Sequence, residues 1–375
     1  MTVTEPELLD SPIAARVVRD DHELVDIYGM GIPAVVDDPL AEYAAVREGA
    51  GLLDFSPLLK VDVEGPDAQR KLNRLHTRDI TKLTPGRIAY GAILDDDGLM
   101  VDDSTVMARS EDRVRVVGGP AMPSAVIPFA EENGLSAVER RDDLAHLNVQ
   151  GPRSREILSP LTEEDFTNEG FPYYTFKEPV AMAGVEDVFV TRMGFTAELG
   201  YELFVPAGRA VELYDALMDA GRVAGLRPVG VAAIMMVRIE AGMVMGDGLE
   251  YDETVSPWEC GLGWAVDLEK GDFRGRDAVL GLKDARHDRL VSVVLEGGED
   301  AATGAPLSVA GDEVGKITMA VASPYLGGRT LGLAKVHRDF ASPGTAVSAR
   351  VDGADLSGEL VATPVYDPER KRVRS

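Results

Sequence analysis

The chain has 375 residues, with 64 acidic against 38 basic side chains and a formal net charge of -26. Such a surface repels a polyanion and argues against a nucleic-acid partner, although the same acidity also serves solubility in salt. Hydrophobic content of 45% and charged content of 27% are those of an ordinary soluble globular protein, and the length suffices for two or three domains with sizeable cores.

At the N-terminus, "MTVTEPELLDSPIAARVVRDD" has neither an apolar core of signal-peptide length nor a basic segment before one. "GMGIPA", Gly29 to Ala34, fits a loose dinucleotide fingerprint, but Pro33 interrupts the helix start it needs and no βαβ pattern surrounds it. "LLKVDVEG" reads as a strand, and after it comes "AILDDDGLMVDDSTVMA", Ala92 to Ala108. Asp95 to Gly98 predict a hairpin turn, because Asp and Gly tolerate its backbone angles, and the spacing fails the calcium-loop pattern. Asp102 and Asp103 sit between two apolar runs. Adjacent acids on a strand point to opposite faces, so at most one is readily solvated where one face is covered. A partly buried carboxylate there serves as proton acceptor or as partner to a cationic centre; the structural alternative is an acid capping backbone N–H groups.

"RVRVVGG", "HLNVQG" and "EDVFVTRMG" continue the strands and lead to "GFTAELGYELFV", Gly194 to Val205. Alternation puts Tyr201, Leu203 and Val205 on one face and Glu202 with Phe204 on the other. Glu202 either faces water, as charged strand residues commonly do, or waits in a pocket for a ligand with two adjacent N–H donors. In "PAGRAVELYDALMDAGRVAG" Val211, Tyr214 and Met218 recur at helical spacing, with Pro206 near the start and Gly221 and Gly225 near the end. "AAIMMVRIEAG" predicts a second helix ending at Gly242, and no run approaches the length of a membrane span, even "AAIMMVRIEAGMVM" being broken by Arg238 and Glu240. After "KGDFRGRDAVLGLKDARHDR" the chain turns to short strands between turns such as "EGGED" and "YLGGR", which reads as a separate all-β module. The fold class is α+β. The single Cys260 excludes an internal disulfide, and His22, His76, His146, His287 and His337 are scattered without zinc-ligand spacing. With no phosphate loop, metal motif or export signal, a cytoplasmic protein off the membrane is expected.

The order of "LLDFSPLLKVDVEGPDA", "AYGAILDDDGLMVDDSTV", "HLNVQGPRS", "TRMGFTAELGYELFVP", "LRPVGVAAIMMVRIEAGM", "DETVSPWECGLGWAVDLEKGDFRGRDAV" and "KITMAVASPYLGGRTLGLAKV" resembles that of the glycine cleavage T-protein (aminomethyltransferase) family over nearly the whole chain. The resemblance implies a three-domain, clover-like arrangement around a central hole holding tetrahydrofolate. Residues 1–285 would form the folate-binding region of two intertwined α+β domains, and 286–375 a C-terminal β-barrel. It implies that Glu202 holds the pterin through adjacent N–H groups, with Phe195 where T-proteins usually have Tyr, and with Tyr173 and Tyr174 as the aromatic pair beside the folate. Asp103 matches the family's catalytic aspartate.

Three positions depart from the family. Ile234 stands where T-proteins carry the arginine of G-x-G-A-R-D, Pro57 replaces the histidine of V-S-H-M, and Gly118 replaces the asparagine of V-N-A. The pterin-reading features persist while the donor side has changed. The main reading is therefore transfer of a methyl or related one-carbon group from a small S-, O- or N-methyl donor to tetrahydrofolate, with Asp103 accepting the N5 proton. Ile234, Tyr251 and Trp258 would line the donor side. Arg238 would hold the folate tail carboxylates or else pair with Glu240, and Trp264 reads as core. One alternative is the aminomethyltransferase itself, which would need a lipoyl carrier protein as partner. Another is a non-catalytic folate-binding regulator.

Overall fold

The computed structural model describes residues 8–285, 288–297 and 299–375. Its contacts divide the chain into two compact units. The first is Met1–Leu59, Arg140–Ile234 and Arg372–Ser375; the second is Lys60–Glu139 and Met235–Lys371. The expected boundary between 285 and 286 falls at Arg286, outside the described residues, as does His287.

Among the described residues the first unit is built on a six-stranded sheet. Its order is Phe176–Met182, Val185–Thr191, Gly200–Pro206, Leu144–Gln150, Gly51–Asp54 and Arg227–Val229. All neighbours are antiparallel except the last pair, which is parallel. One face turns Tyr201, Leu203, Val205, Ala145, Leu147 and Val149 into a core shared with the helix Ala210–Gly221. That helix is where its periodicity predicts, but its buried stripe is Leu213, Tyr214 and Leu217, with Val211 and Met218 at the margin. Two stripes fit the 3.6-residue period, and the one of larger apolar side chains goes to the sheet.

The second unit holds a five-stranded sheet, in order Arg87–Leu94, Met100–Ser110, Arg113–Gly118, Leu59–Glu64 and Ser136–Glu139, with the helix Met122–Glu132. The predicted hairpin turn is present: Asp95 Oδ1 accepts from the N–H groups of Asp97 and Leu99, each at 2.9 Å, and Gly98 has φ +77°. The same unit contains a closed barrel of Asp288–Leu295, Arg329–His337, Asp312–Ser323, Pro306–Val309, Ala346–Val351 and Ala354–Val361. Val293, Leu295, Leu307, Ile317, Ala334, Val336 and Leu360 fill its interior, and closure leaves no exposed strand edge. The fold is thus α+β with a C-terminal all-β barrel. The helix Val231–Glu240 carries Ile234 and Arg238, and Gly242 follows it with φ +63°. No helix of the described residues is long and apolar enough to cross a membrane.

Candidate functional site

The first unit places Glu202 where its strand alternation predicts, on the sheet face opposite Tyr201, and the face is covered: Glu202 is 6% exposed. The solvent-facing reading is thereby excluded. Register sets Glu202 between Asn148 and Thr191 on the two neighbouring strands. Thr191 Oγ1 donates to Glu202 Oε2 at 3.3 Å, Asn148 Nδ2 reaches Oε1 only at 3.5 Å, and His146 Nε2 lies 3.3 Å from Oε2. Asn148 Oδ1 is buried with no hydrogen-bond partner. Around this polar row stand flat rings. His146 stacks on Phe204 at 4.1 Å, and Phe55 meets His146 at 5.9 Å and Phe195 at 6.2 Å, both edge-on. Tyr173 and Tyr174 form an edge-to-face pair at 4.7 Å, and Tyr174 N–H donates to the carbonyl of Arg192, next to Thr191.

Gln150 explains the glycines that lead into the strand. Its side chain accepts from Thr196 Oγ1 at 3.1 Å and donates to the Met193 carbonyl at 3.2 Å, bracing the loop that carries Phe195. A Cβ at Gly194 or Gly200 would stand 1.9 or 2.2 Å from Gln150 Oε1, so a side chain at either position would displace the Gln150 amide from these bonds. His146, Asn148 and Gln150 were not singled out from sequence. Their signal was present in "HLNVQG", where polar residues alternate with Leu147 and Val149.

In the second unit Asp102 and Asp103 share one phenol. Tyr251 Oη makes a short hydrogen bond to Asp103 Oδ1, lies 3.2 Å from Asp102 Oδ1 and accepts from the Asp103 N–H at 3.1 Å. The strand is bulged just before the two acids. Asp102 pairs with Ile93 but Met100 pairs with Leu94, leaving Val101 as an extra residue. Asp102 also accepts from the N–H groups of Gly119 at 3.3 Å and Met122 at 2.7 Å, so it caps the helix Met122–Glu132. Gly118 fits this packing: a Cβ there would come within 2.8 Å of the Asp103 carbonyl oxygen. Burial, and then the neighbouring Asp103 charge, push the Asp102 carboxyl up to about 7. Burial also raises Asp103, against hydrogen bonds from Tyr251 and Tyr90 that lower it. Asp102, at about 7, accepts a proton near neutral pH.

Other expected site residues take different roles. Arg238 is fully buried, with Nη1 2.7 Å from Glu250 Oε2 and 3.2 Å from the Met243 carbonyl oxygen, so it holds its own loop. Its partner is not Glu240, which accepts instead from Ser323 Oγ at 2.6 Å. Trp258 is half-buried. Its Nε1 donates to the Val279 carbonyl at 2.8 Å, and Lys283 lies over the ring. Trp264 is not core but 56% exposed, stacked on Tyr90 at 5.9 Å. Ile234 is buried and supplies only apolar surface.

The GCVT N-terminal domain matches residues 16–270, and the glycine cleavage T-protein C-terminal barrel domain matches 289–367. An aminomethyltransferase of Streptomyces avermitilis is 36% identical over 353 residues, covering 92% of this chain and 93% of its own. A trimethylamine-oxide aldolase of Ruegeria pomeroyi is 33% identical over 90% of this chain, which spans 44% of that longer protein. The crystal structure of the glycine cleavage aminomethyltransferase of Bartonella henselae shares the fold, with a TM-score of 0.83 at 22% identity over 96% of this chain and 98% of that one. The fold and these matches define a folate-dependent one-carbon enzyme. The chain belongs to the glycine cleavage T-protein family, and it is a tetrahydrofolate-dependent transferase.

The residues fit that cofactor on chemical grounds. Glu202 is a buried two-oxygen acceptor with long contacts from Thr191, Asn148 and His146, and the unpartnered Asn148 Oδ1 adds acceptor capacity. Flat N–H-bearing heterocycles require such acceptors between rings.

Proposed function

We propose that this chain is an aminomethyltransferase, moving the one-carbon unit of a carrier-bound aminomethyl group to tetrahydrofolate, as the name of its aminomethyltransferase relatives says. The observation that carries the reading is the half-buried Asp103 carboxylate, hydrogen-bonded by Tyr251 and raised by desolvation. Tetrahydrofolate supplies the nucleophilic nitrogen. Glu202 and Asn148 hold the pterin edge, Phe195, Tyr173 and Tyr174 pack against its flat parts, and Asp103 takes up the proton that the nitrogen loses. Glu202 meets its ligand equally before and during transfer, whereas Asp103 responds to charge that appears only in transfer.

The aminomethyl donor would arrive on a lipoyl carrier protein. A second reading, a small methylated donor, is favoured by one observation: Ile234 is buried and apolar at the position where T-proteins carry arginine. Pro57 and Gly118 depart from the family in the same direction. The test is to incubate the protein with tetrahydrofolate and, in separate reactions, aminomethyl-loaded lipoyl carrier or methylated amines, sulfonium compounds and aryl ethers, with mass detection of the folate product. Methylenetetrahydrofolate from the carrier supports the first reading, and a one-carbon folate from a small donor supports the second. Folate binding without any product leaves the non-catalytic regulator.

A further inference from the structure

We infer that Asp102, Tyr251 and Asp103 form a proton relay in which Asp102 is the terminal acceptor behind Asp103, a proposal that rests on the reading of Asp103 as proton acceptor. The phenol of Tyr251 has one proton, yet two carboxylate oxygens face its Oη. The Asp103 N–H already occupies one acceptor direction of that oxygen. A single proton satisfies only one of the two O···O contacts, and the other is a contact between lone pairs unless a second proton sits in it. The three groups are therefore arranged to hold two protons between them.

Two protons give the group two settings. In one, Asp103 carries a proton and the Tyr251 hydroxyl points to Asp102. In the other, the Asp103 proton has passed to Oη while Oη has given its own to Asp102 Oδ1. One O–H bond breaks and one forms at each step, Tyr251 ends unchanged, and Asp103 is again an ionised acceptor. Asp102 suits the terminal place, because the Gly119 and Met122 N–H groups fix its carboxylate, and burial with the Asp103 charge raises it to about 7. Burial and the two acids hold the Tyr251 phenol well above its ordinary range, so it passes a proton without losing one. The other titratable groups acting on Asp103 are Tyr90, which hydrogen-bonds to it, and Cys260, which burial pushes up to about 12 and which stays a thiol.

The first test needs no folate chemistry. Infrared difference spectra of the ligand-free full-length chain, taken from about pH 5 to about pH 9, should show a carboxylic acid C=O band that disappears near neutrality. Asp102→Asn should remove the band, and Tyr251→Phe, which keeps the ring, should move its midpoint. The second test uses any donor that supports turnover. Both variants should lower kcat about 10- to 100-fold and leave KM for tetrahydrofolate within about two-fold; Asp102→Asn should move the acid limb of the kcat profile to lower pH, and Tyr251→Phe, which removes a hydrogen bond that lowers both carboxyls, should move it to higher pH. A cap role alone for Asp102 would alter stability and leave the limb in place. An unchanged band in Asp102→Asn, or an unchanged limb in Tyr251→Phe, overturns the relay. Absence of turnover with every donor overturns the functional reading, and the infrared arm then decides the shared proton separately.

Discussion

Asp103 and Asp102 differ in what each substitution should cost. Asp103→Asn is expected to lower turnover by about two orders of magnitude while folate affinity stays within a small factor, because the change removes a proton acceptor and keeps the shape. Single-turnover kinetics beside equilibrium binding would check it. Asp102 carries a stability signature with a definite sign. Its folded-state carboxyl lies near 7 against 3.8 for the ordinary group. The native state thus binds this proton more tightly, and its contribution falls as pH rises through that window and is flat above it. Denaturant unfolding of Asp102→Asn against the parent should therefore shift in favour of the variant between these two values; a constant difference would contradict the raised carboxyl. Glu202 was legible because strand alternation fixes its face, although whether that face is covered depends on residues far along the chain. The Arg238 partner was not legible, because Glu250 reaches it only after the chain has turned back through the loop beyond Gly242. Trp264 misled because its apolar neighbours pack while its ring turns outward onto Tyr90.

Strands and their braces account for the rest of the first cluster. Leu144–Gln150 supplies His146, Asn148 and Gln150 to one face, and Gln150 keeps its bonds because Gly194 and Gly200 have no side chain. Gly200→Ala must push Gln150 aside and should destabilise the protein by about 1 to 3 kcal/mol, the range for overpacking. Adding Gln150→Ala should recover part of that loss, and urea unfolding of the three variants would show whether the two positions are coupled. The beginning of this strand was readable from its alternating polarity. The bulge at Val101 was not, since one extra residue in a ladder leaves no mark in composition.

At the scale of the molecule, the shift to short strands after residue 285 announced the barrel, and six antiparallel strands close it. The two units were not legible, because the strand Leu59–Glu64 and the helix Val231–Glu240 each run through a boundary without any break in pattern. The net charge of -26 is a whole-chain property, and self-repulsion of that size opposes compaction. Raising salt from about 0.05 M to about 1 M should therefore raise Tm, as screening shortens the range of repulsion; a fall in Tm would place the dominant electrostatics in attractive pairs.

The central claim is that reduced folate is bound through the buried Glu202 carboxylate, and calorimetric titration of tetrahydrofolate into the parent and into Glu202→Gln tests it most directly. The expected result is binding by the parent and affinity weaker by about 1.5 to 3 kcal/mol in the variant, the range for a hydrogen bond to a charged group, with unchanged circular dichroism. No binding by the parent, or equal affinity in both proteins, would contradict it.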